Sequence, residues 1–412
     1  MTSRSLVMAS INHNNIDKVP VDLGATPSSG ISAIAYNNFT RYLGMEDSKT
    51  RIYDVVQQLA QPEDEVIKRL GVDVIDIGRA FNDKEKDWYP ITLANGQRAY
   101  YPKWFKPVQK SDGSYEVYDE EGVMIAKMPT GATFFDQTFF PYIDGFPDHY
   151  KDLSKAMDKV LWQKMVHSPW DHAGDPNFWK TLREKAIHLK NTTDKALMIV
   201  CGCNLFEWGT FLRRIDNFLM DIYTDPDEVE KMLDALMEKH LETLKLVCDA
   251  VGDVVDILRF GDDLGMDNGP FMSPEKYREI FKPRHKMLCD YVHKNSQMKT
   301  FLHSCGSIYQ LIPDLIEAGY DVINPVQTNV KDMDPVTLKK EFGKDITFWG
   351  GGVNTRHVLN KKTPSEVKDD VRRNIEILLP GGGFVFNPIH NIMPDVPPEN
   401  IEAMIEAVNE YR

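Results

Sequence analysis

The chain of 412 residues has a deficit of positive charge. It carries 48 Lys and Arg against 62 Asp and Glu, a formal net charge of −14. Proteins that bind nucleic acid usually present a basic face, and anionic membrane surfaces attract basic segments. The composition therefore argues against both kinds of partner.

Cysteine and long apolar runs are also scarce. Five cysteines, an odd number without framework spacing, indicate a reducing compartment and not a disulfide scaffold. The first residues, Met1 to Ser10, contain no sustained apolar run, so we expect neither a signal peptide nor a membrane span. Low-complexity tracts are absent too. These absences predict a cytoplasmic globular protein.

What the sequence does contain is a regular alternation of apolar strand-like runs and helical segments. Eight strand candidates begin near residues 19, 72, 196, 254, 299, 321, 346 and 384, and residues 31–70 are helical in pattern. This alternation predicts a parallel sheet, and eight units favour a closed (β/α)8 TIM barrel, with an open doubly wound sheet as the alternative. We expect residues 1–412 to form one barrel domain.

One stretch departs from the alternation. Residues 80–150 are rich in aromatic side chains and in turn signals such as Ala94-Asn-Gly and Ser111-Asp-Gly, and runs such as Ser114 to Tyr118 alternate in polarity. Such patterns are typical of antiparallel hairpins. We therefore expect an inserted β-rich cap subdomain here, whose aromatic residues mostly form its own core.

The strongest chemical signal is the run His303-Ser-Cys305-Gly306 at the end of a predicted strand. Imidazole and thiolate are ligands that suit zinc. A buried structural thiol is the plainer interpretation, because free cysteine is among the most buried residue types. In a (β/α)8 barrel, however, the carboxyl ends of the strands form the active site, and this motif lies at such an end.

Other unusual polar residues fall at the same ends. Asp262 and Asp263 could act as a general acid, as ligands or as orienting groups, or they could be ordinary loop aspartates. Glu207 could protonate a leaving group or simply begin a helix in solvent. The remaining strand-end candidates are Arg79, Asn324 and Gln327 for cofactor binding, and Cys201, Cys203 and His390 as possible metal ligands. A packing account does not explain this clustering, which favours a functional site.

Several of these motifs resemble the uroporphyrinogen decarboxylase superfamily. The motifs are His303-Ser-Cys305-Gly306, Asp262-Asp263 followed by Ser273-Pro274-Glu275, and the run from Pro397 to Met404. The similarity is greatest to its zinc-dependent, corrinoid-linked methyltransferase branch, which includes methylcobalamin:coenzyme M methyltransferases. The resemblance implies a (β/α)8 barrel whose zinc binds a thiol or a methylated substrate, opposite a docked corrinoid protein.

The chain departs from that branch at one ligand. The methyltransferases usually carry a third zinc ligand, a cysteine, in the glycine-rich turn before the last strand, but Leu379 to Gly383 contains none. We expect His390 to replace it from the end of the last strand. Cys201 or Cys203 could instead supply the ligand from the third strand.

The resemblance implies a methyltransferase that moves a methyl group between a small O-, N- or S-methyl substrate or a thiol and cobalamin. No Asp-x-His-x-x-Gly motif is present, so we expect a separate corrinoid protein to carry the cobalamin. A decarboxylase of the same superfamily is the first alternative, disfavoured because the loop Gly24 to Gly30 lacks arginine. A non-catalytic ligand-binding relative is the second. A homo-oligomer is possible in each case.

Overall fold

A computed structural model describes residues 1–412. The strands in chain order are β1 (Ile31–Ser32), β2 (Ile52–Asp54), β3 (Leu59–Ala60), β4 (Val74–Asp76), β5 (Trp88–Thr92), β6 (Arg98–Pro102), β7 (Val108–Gln109), β8 (Tyr115–Tyr118), β9 (Met124–Met128), β10 (Asp136–Gln137), β11 (Ala196–Gly202), β12 (Ile257–Gly261), β13 (Gly265–Met266), β14 (Gly269–Pro270), β15 (Lys299–His303), β16 (Val322–Asn324), β17 (Thr347–Trp349) and β18 (Phe384–Val385).

From residue 178 onwards, one or more α-helices separate each parallel strand from the next. They are α1 (Ser3–Ile11), α2 (Ala33–Tyr42), α3 (Asp64–Arg69), α4 (Leu153–Met157), α5 (Leu161–Lys164), α6 (Phe178–Thr192), α7 (Phe206–Arg213), α8 (Ile215–Thr224), α9 (Pro226–Val251), α10 (Pro274–Lys276), α11 (Lys282–Asn295), α12 (Ile312–Ala318), α13 (Pro335–Phe342), α14 (Pro364–Leu378) and α15 (Pro398–Asn409). None of them combines the length and the apolar character that crossing a membrane requires.

Seven parallel strands form one curved sheet in the order β18-β17-β16-β15-β12-β11-β4. The segment around Val21 joins its two edges, so that the sheet closes. On one side Val21 bridges to Phe386, and the amide of Asp22 donates to the Phe386 carbonyl at 2.8 Å. On the other side the amide of Asp73 donates to the Val21 carbonyl at 2.8 Å. The predicted (β/α)8 barrel is confirmed, with its first strand reduced to this short bridging segment.

Alternation along each strand divides the barrel residues into two sets, because successive side chains of a strand point to opposite faces. The outward set, for example Ile75, Leu258 and Phe348, packs with the surrounding helices in the main core of 81 buried residues. The inward set forms a smaller core of its own, to which α1 adds Val7 and Ile11. Its strand members are Val74, Ala196, Met198, Ile257, Phe301, Val322, Trp349 and Val385.

The predicted β-rich insertion is confirmed as a set of antiparallel pairings. Strands β5 and β6 form one hairpin, and β7 to β10 form a four-stranded sheet. These strands share a separate core with Val56, Leu161 and Met165, which belong to segments at the barrel mouth. The mouth cavity is lined by residues of those segments and by none from 80–150. The insertion therefore packs against the segments at the barrel mouth and does not line the mouth cavity itself.

The prediction that residues 31–70 are helical throughout is wrong in its middle part. The structure has α2 and α3 there, but β2 and β3 pair as an antiparallel hairpin between them. The Asp54 carboxylate accepts a hydrogen bond from the Gln57 amide at 2.9 Å, and Gln58 has a φ of 55°. A local side-chain turn of this kind competes with helix formation, and the apolar side chains of the hairpin pack into the insertion core.

Asp73 connects the segment that closes the barrel to both ends of the chain. Its buried carboxylate accepts from Ser3 Oγ at 2.6 Å and from the Val21 amide at 2.9 Å, and it pairs with Arg412. We expect Asp73→Ala to lower the free energy of unfolding by about 2 to 3 kcal/mol, because hydrogen bonds to a charged group are lost. Differential scanning calorimetry should show a lower Tm. The control Asp17→Ala removes an exposed aspartate and should leave Tm unchanged; equal Tm values for the two variants would contradict this role.

Candidate metal centre and active site

A cavity of about 500 Å³ opens at the carboxyl ends of β11, β12 and β15. Two cavities elsewhere are larger, at about 760 and 890 Å³, but they are lined by the insertion and by surface segments. The structure contains one group of three or more histidine, cysteine or acidic side chains close enough together to share a metal ion, and it lies at the mouth cavity. The chemistry therefore points to this cavity and not to the largest one.

That group consists of His303, Cys305 and His390, whose ligand atoms all lie within 4.8 Å of one another. His303 ends β15, Cys305 follows two residues later, and His390 lies just beyond β18. The Cys305 Sγ is 3.5 Å from His303 Nε2. Two imidazoles and a thiol form a donor set that suits zinc. The three residues predicted as metal ligands are thus brought together.

Hydrogen bonds fix the tautomer of His303. The amide nitrogen of buried Asn324 donates to the Trp349 carbonyl at 2.8 Å, so its Oδ1 is the acceptor that faces His303 Nδ1, also at 2.8 Å. Ser28 Oγ donates to the same oxygen. His303 Nδ1 must therefore carry the proton, which leaves the Nε2 lone pair free for a metal.

The side chain of Asn391 orients His390 as Asn324 orients His303. The Asn391 Nδ2 donates to the Gln57 side-chain oxygen at 3.3 Å, so Asn391 Oδ1 is free to accept from His390 Nδ1 at 2.9 Å. The lone pair of His390 Nε2 is then available. Burial lowers the pKa of both imidazoles, that of His303 to about 3, with further lowering by Arg259. Neutral imidazoles are the form that binds metals.

The loop that carries Cys305 is held by two backbone hydrogen bonds. The Cys305 amide donates to Asp263 Oδ1 at 2.8 Å, and the Gly306 amide donates to Gln327 Oε1 at 2.8 Å. Gly306 has a φ of 88°, and a Cβ there would lie 2.2 Å from the Gly265 backbone. Gln327 therefore positions the thiol without lining the cavity, and only glycine fits at residue 306.

Asp262 and Asp263 are neighbours in sequence but have different roles, because they point in opposite directions. Asp262 is fully buried and accepts from the amides of Phe206 at 3.0 Å and Glu207 at 2.9 Å, at the start of α7. It also contacts His285 Nε2 at 3.0 Å. The predicted catalytic role of Asp262 is therefore corrected to a positioning role, whereas Asp263 lines the cavity.

Glu207 lines the cavity, and its surroundings disfavour the charged form of its carboxyl group. Its Oε2 accepts from the Asp263 amide at 3.1 Å and from the Asn204 side-chain amide. Burial, together with the negative charge of Asp263 and Asp262, raises its pKa well above the ordinary value. Since Oε2 accepts both hydrogen bonds, Oε1 is the oxygen that is free to hold a proton. The arrangement can therefore donate a proton at the cavity.

Of the other predicted site residues, some line the cavity and some do not. Cys201 and Cys203 line the cavity but do not belong to the ligand group, which favours His390 as the third ligand. Arg79 does not line the cavity, because its guanidinium is paired with Asp64 at 2.7 Å. Asn324 acts through His303 and not on the cavity directly.

Two features of the cavity were missed in the sequence. Arg259 on β12 reaches the cavity, and aromatic side chains line one side of it: Trp162, Trp170, Trp179, Trp208 and Phe211. The charge of Arg259 in the middle of the otherwise apolar strand Ile257–Gly261 was the available signal. The tryptophans carried none, because they lie on segments whose position depends on the tertiary fold.

Comparisons with known proteins agree with this geometry. The sequence profile of the family described as "Uroporphyrinogen decarboxylase (URO-D)" matches residues 206–411. Methylcobamide:CoM methyltransferase MtaA of Methanosarcina barkeri is 26% identical over 185 residues, 45% of this chain and 50% of the relative. Uroporphyrinogen decarboxylase of Legionella pneumophila (strain Corby) is 42% identical over 216 residues, 51% of this chain and 55% of the relative. The chain thus spans about half the length of these curated relatives.

The fold has a solved counterpart over its whole length. A methyltransferase from Methanosarcina mazei superposes with a TM-score of 0.59 at 16% sequence identity, covering 100% of this chain and 99% of that chain. At this identity the likeness concerns the fold alone. The profile match extends over the half of the chain that contains Glu207, Arg259, His303, Cys305 and His390. The chain belongs to the uroporphyrinogen decarboxylase family.

Proposed function

We propose that this chain is a metal-dependent methyltransferase that moves a methyl group between a small substrate and the cobalamin of a separate corrinoid protein. The observation that carries the proposal is the group His303, Cys305 and His390, with both imidazoles held in the tautomer that leaves Nε2 free. The relative from Methanosarcina barkeri is named a methylcobamide:CoM methyltransferase, which supports the same chemistry here.

The metal is zinc in this proposal, held by His303, Cys305 and His390. When bound, zinc supplies Lewis-acid chemistry: it favours the thiolate form of a thiol or polarises the heteroatom of a methyl donor. Asn324 and Asn391 orient the two imidazoles, and Asp263 fixes the backbone of Cys305. The burial that raises the pKa of the Cys305 thiol is then offset by the metal.

Glu207 supplies the proton for a poor leaving group. A methyl donor with an alkoxide or amine leaving group needs protonation as the methyl group departs. Glu207 Oε1 carries that proton, while Oε2 is held by Asn204 and by the Asp263 amide. The aromatic side chains around Trp208 and Phe211 exclude water from this part of the cavity.

The corrinoid is presented from outside the chain. A cavity of about 500 Å³ is in the range that holds a small organic substrate. The mouth of the barrel therefore serves as the face on which a corrinoid protein docks, with the methyl group exchanged at the cavity entrance.

Decarboxylation of uroporphyrinogen is the second candidate, favoured by the name of the relative from Legionella pneumophila. A porphyrinogen with many carboxylates requires several cations. Arg259 is the single Lys or Arg side chain that lines the cavity, against the acidic side chains of Asp54, Glu207 and Asp263. The loop Gly24 to Gly30 contributes hydroxyl groups and no cation. These observations favour the methyltransferase.

The first prediction from the proposed function concerns the metal. Purified protein loaded with zinc should hold one ion per chain by elemental analysis, and Cys305→Ser and His390→Ala should each hold far less. The variant Asn324→Ala should bind zinc about ten- to a hundredfold more weakly, because it removes an orienting group and not a ligand.

Two cysteine variants serve as controls for this experiment. Cys289 is a buried thiol on α11 that neither lines the cavity nor belongs to the ligand group. Cys289→Ser should therefore retain the metal. Cys203→Ser should retain it too. Loss of zinc in Cys203→Ser, with full binding in His390→Ala, would instead assign the third ligand to the third predicted strand.

The second prediction concerns Glu207. We expect Glu207→Gln to slow methyl transfer from alkyl methyl ethers or methylamines by about a hundredfold or more, the usual contribution of general acid catalysis. Transfer from methyl donors with good leaving groups, such as sulfonium compounds, should change little. Stopped-flow measurement of methylcobalamin formation gives both rates. An equal loss for both donor types would rule out the role of Glu207 as a proton donor.

The third prediction tests the overall reaction. Mixing the zinc-loaded protein with cob(I)alamin, free or on a corrinoid protein, and a panel of methyl donors should convert cob(I)alamin to methylcobalamin in the visible spectrum. The reverse assay uses methylcobalamin and small thiols. No spectral change in either direction, together with carbon dioxide release from uroporphyrinogen, would favour the decarboxylase. No activity in any of the three assays would favour a non-catalytic relative.

A further inference from the structure

The cavity of about 760 Å³ lies between the insertion and the barrel. Its walls come from three units: the hairpin β5–β6, the sheet of β7 to β10, and the barrel-side segments that carry Ser32, Gln58 and Pro394. It shares no lining residue with the mouth cavity, so the proposed reaction does not use it. Its volume lies in the range of small-molecule binding sites.

No charged side chain lines this cavity. The lining consists of 21 residues, and none of them is Asp, Glu, Lys, Arg or His. Charged residues make up 27% of the chain, and they line both the mouth cavity and the cavity of about 890 Å³. An ionic ligand would lose its hydration here without meeting a counter-charge, which is costly. The lining therefore favours an uncharged ligand.

Side chains with rings give the cavity a preformed shape. Three tyrosines and three prolines are among the lining residues: Tyr89, Tyr101, Tyr115, Pro107, Pro129 and Pro394. The ring of Tyr101 is buried and makes edge-to-face contacts with Phe105 at 4.9 Å and with Tyr89 at 6.2 Å. Aromatic rings form such contacts with one another because their edges and faces carry opposite partial charges. The walls therefore favour a ligand that contains an aromatic ring.

The tyrosine hydroxyls determine where such a ligand can form hydrogen bonds. The side-chain nitrogen of Gln58 donates to a backbone carbonyl, so its Oε1 accepts from the Tyr101 hydroxyl at 2.6 Å. The Tyr89 hydroxyl donates to the Phe105 carbonyl at 2.7 Å. Both phenolic oxygens can therefore only accept a further hydrogen bond. Tyr115 is half-buried in the wall, and its hydroxyl is not bonded to any other protein group.

We propose that this cavity binds an uncharged aromatic molecule that carries an O–H or N–H group. The ring lies against the tyrosine and proline walls, and the O–H or N–H group donates to the phenolic oxygen of Tyr89 or Tyr101. The hydroxyl of Tyr115 forms a further hydrogen bond with the bound molecule. The site is independent of the proposed function, because no residue of the mouth cavity takes part.

The test compares three naphthalenes that differ in charge. Isothermal titration calorimetry of the full chain at neutral pH would use 2-naphthol, which is uncharged, 2-naphthoate, which is an anion, and 2-naphthylmethylammonium, which is a cation. We expect one molecule of 2-naphthol to bind per chain, about tenfold or more tightly than either ion, because the ions lose hydration without gaining a partner. Zinc-free and zinc-loaded protein should bind 2-naphthol equally.

Variants of lining residues locate the bound naphthol. Ala94 is exposed and lines the cavity, so Ala94→Trp should fill it and abolish binding, whereas Ala94→Ser should behave like the wild type. Ser111→Trp places the same indole at an exposed position of the insertion outside the cavity and should bind normally. Tyr115→Phe removes one hydrogen-bonding group and should weaken binding about two- to tenfold.

A change of charge preference is a result that a folding defect cannot imitate. Thr92 is exposed at the end of β5 and lines the cavity, so Thr92→Lys adds a cation to the wall. This variant should bind 2-naphthoate about tenfold more tightly than the wild type does, as expected for a hydrogen bond between charged groups. The uncharged control Thr92→Gln should keep the preference for 2-naphthol.

Three results would overturn the proposal. Equal binding of the three naphthalenes, or binding of none, would show that the cavity is a solvent-filled gap. Unchanged binding of 2-naphthol in Ala94→Trp would exclude this cavity as the site. Loss of 2-naphthol binding in Trp208→Ala, with full binding in Ala94→Trp, would assign the naphthol to the aromatic side of the mouth cavity instead.

Discussion

The site depends on the orientation of one buried amide. Asn324 contacts four parts of the barrel: the Trp349 carbonyl, Ser28, His303 and the Asn387 side chain. The Trp349 contact decides which end of the amide faces His303, and this in turn decides which imidazole nitrogen carries the proton. Because the network lies inside the closed barrel, it cannot form until the strands that supply it are paired. The orientation of the His303 imidazole therefore depends on the closure of the sheet.

Around this centre the chain controls charge by burial. Burial lowers the pKa of the His303 imidazole to about 3 and raises the pKa of the Glu207 carboxyl group, because each is buried next to groups that oppose its charged form. Below the cavity, buried Asp262 holds the start of α7 through two backbone amides and contacts His285, which bonds to Tyr277 in turn. The cavity is thus lined by the carboxyl group of Glu207, by the imidazoles of His303 and His390 and by the guanidinium of Arg259. Such an arrangement is costly for folding but suited to binding a metal and a polar substrate.

Part of the site was predictable because the fold converts sequence position into location. Once eight β/α units were recognised, His303, Cys305 and His390 had to approach one another, since strand ends of a closed barrel meet at one rim. The opposite directions of Asp262 and Asp263 were not assigned, because the phase of a strand is set by packing on both faces. Arg259 was missed although its charge stands out in the apolar strand Ile257–Gly261. The hairpin at residues 52–60 was mistaken for helix because its pairing and its packing against the insertion are tertiary.

The central claim is that His303, Cys305 and His390 form a metal centre with a prearranged nitrogen from each histidine. Zinc K-edge X-ray absorption of the zinc-loaded protein tests it most directly, because sulfur and nitrogen scatterers differ in distance, at about 2.3 Å and about 2.0 to 2.1 Å. The account predicts one sulfur scatterer and at least two imidazole nitrogens per zinc ion. A spectrum with two or more sulfur scatterers, or with none, would contradict it.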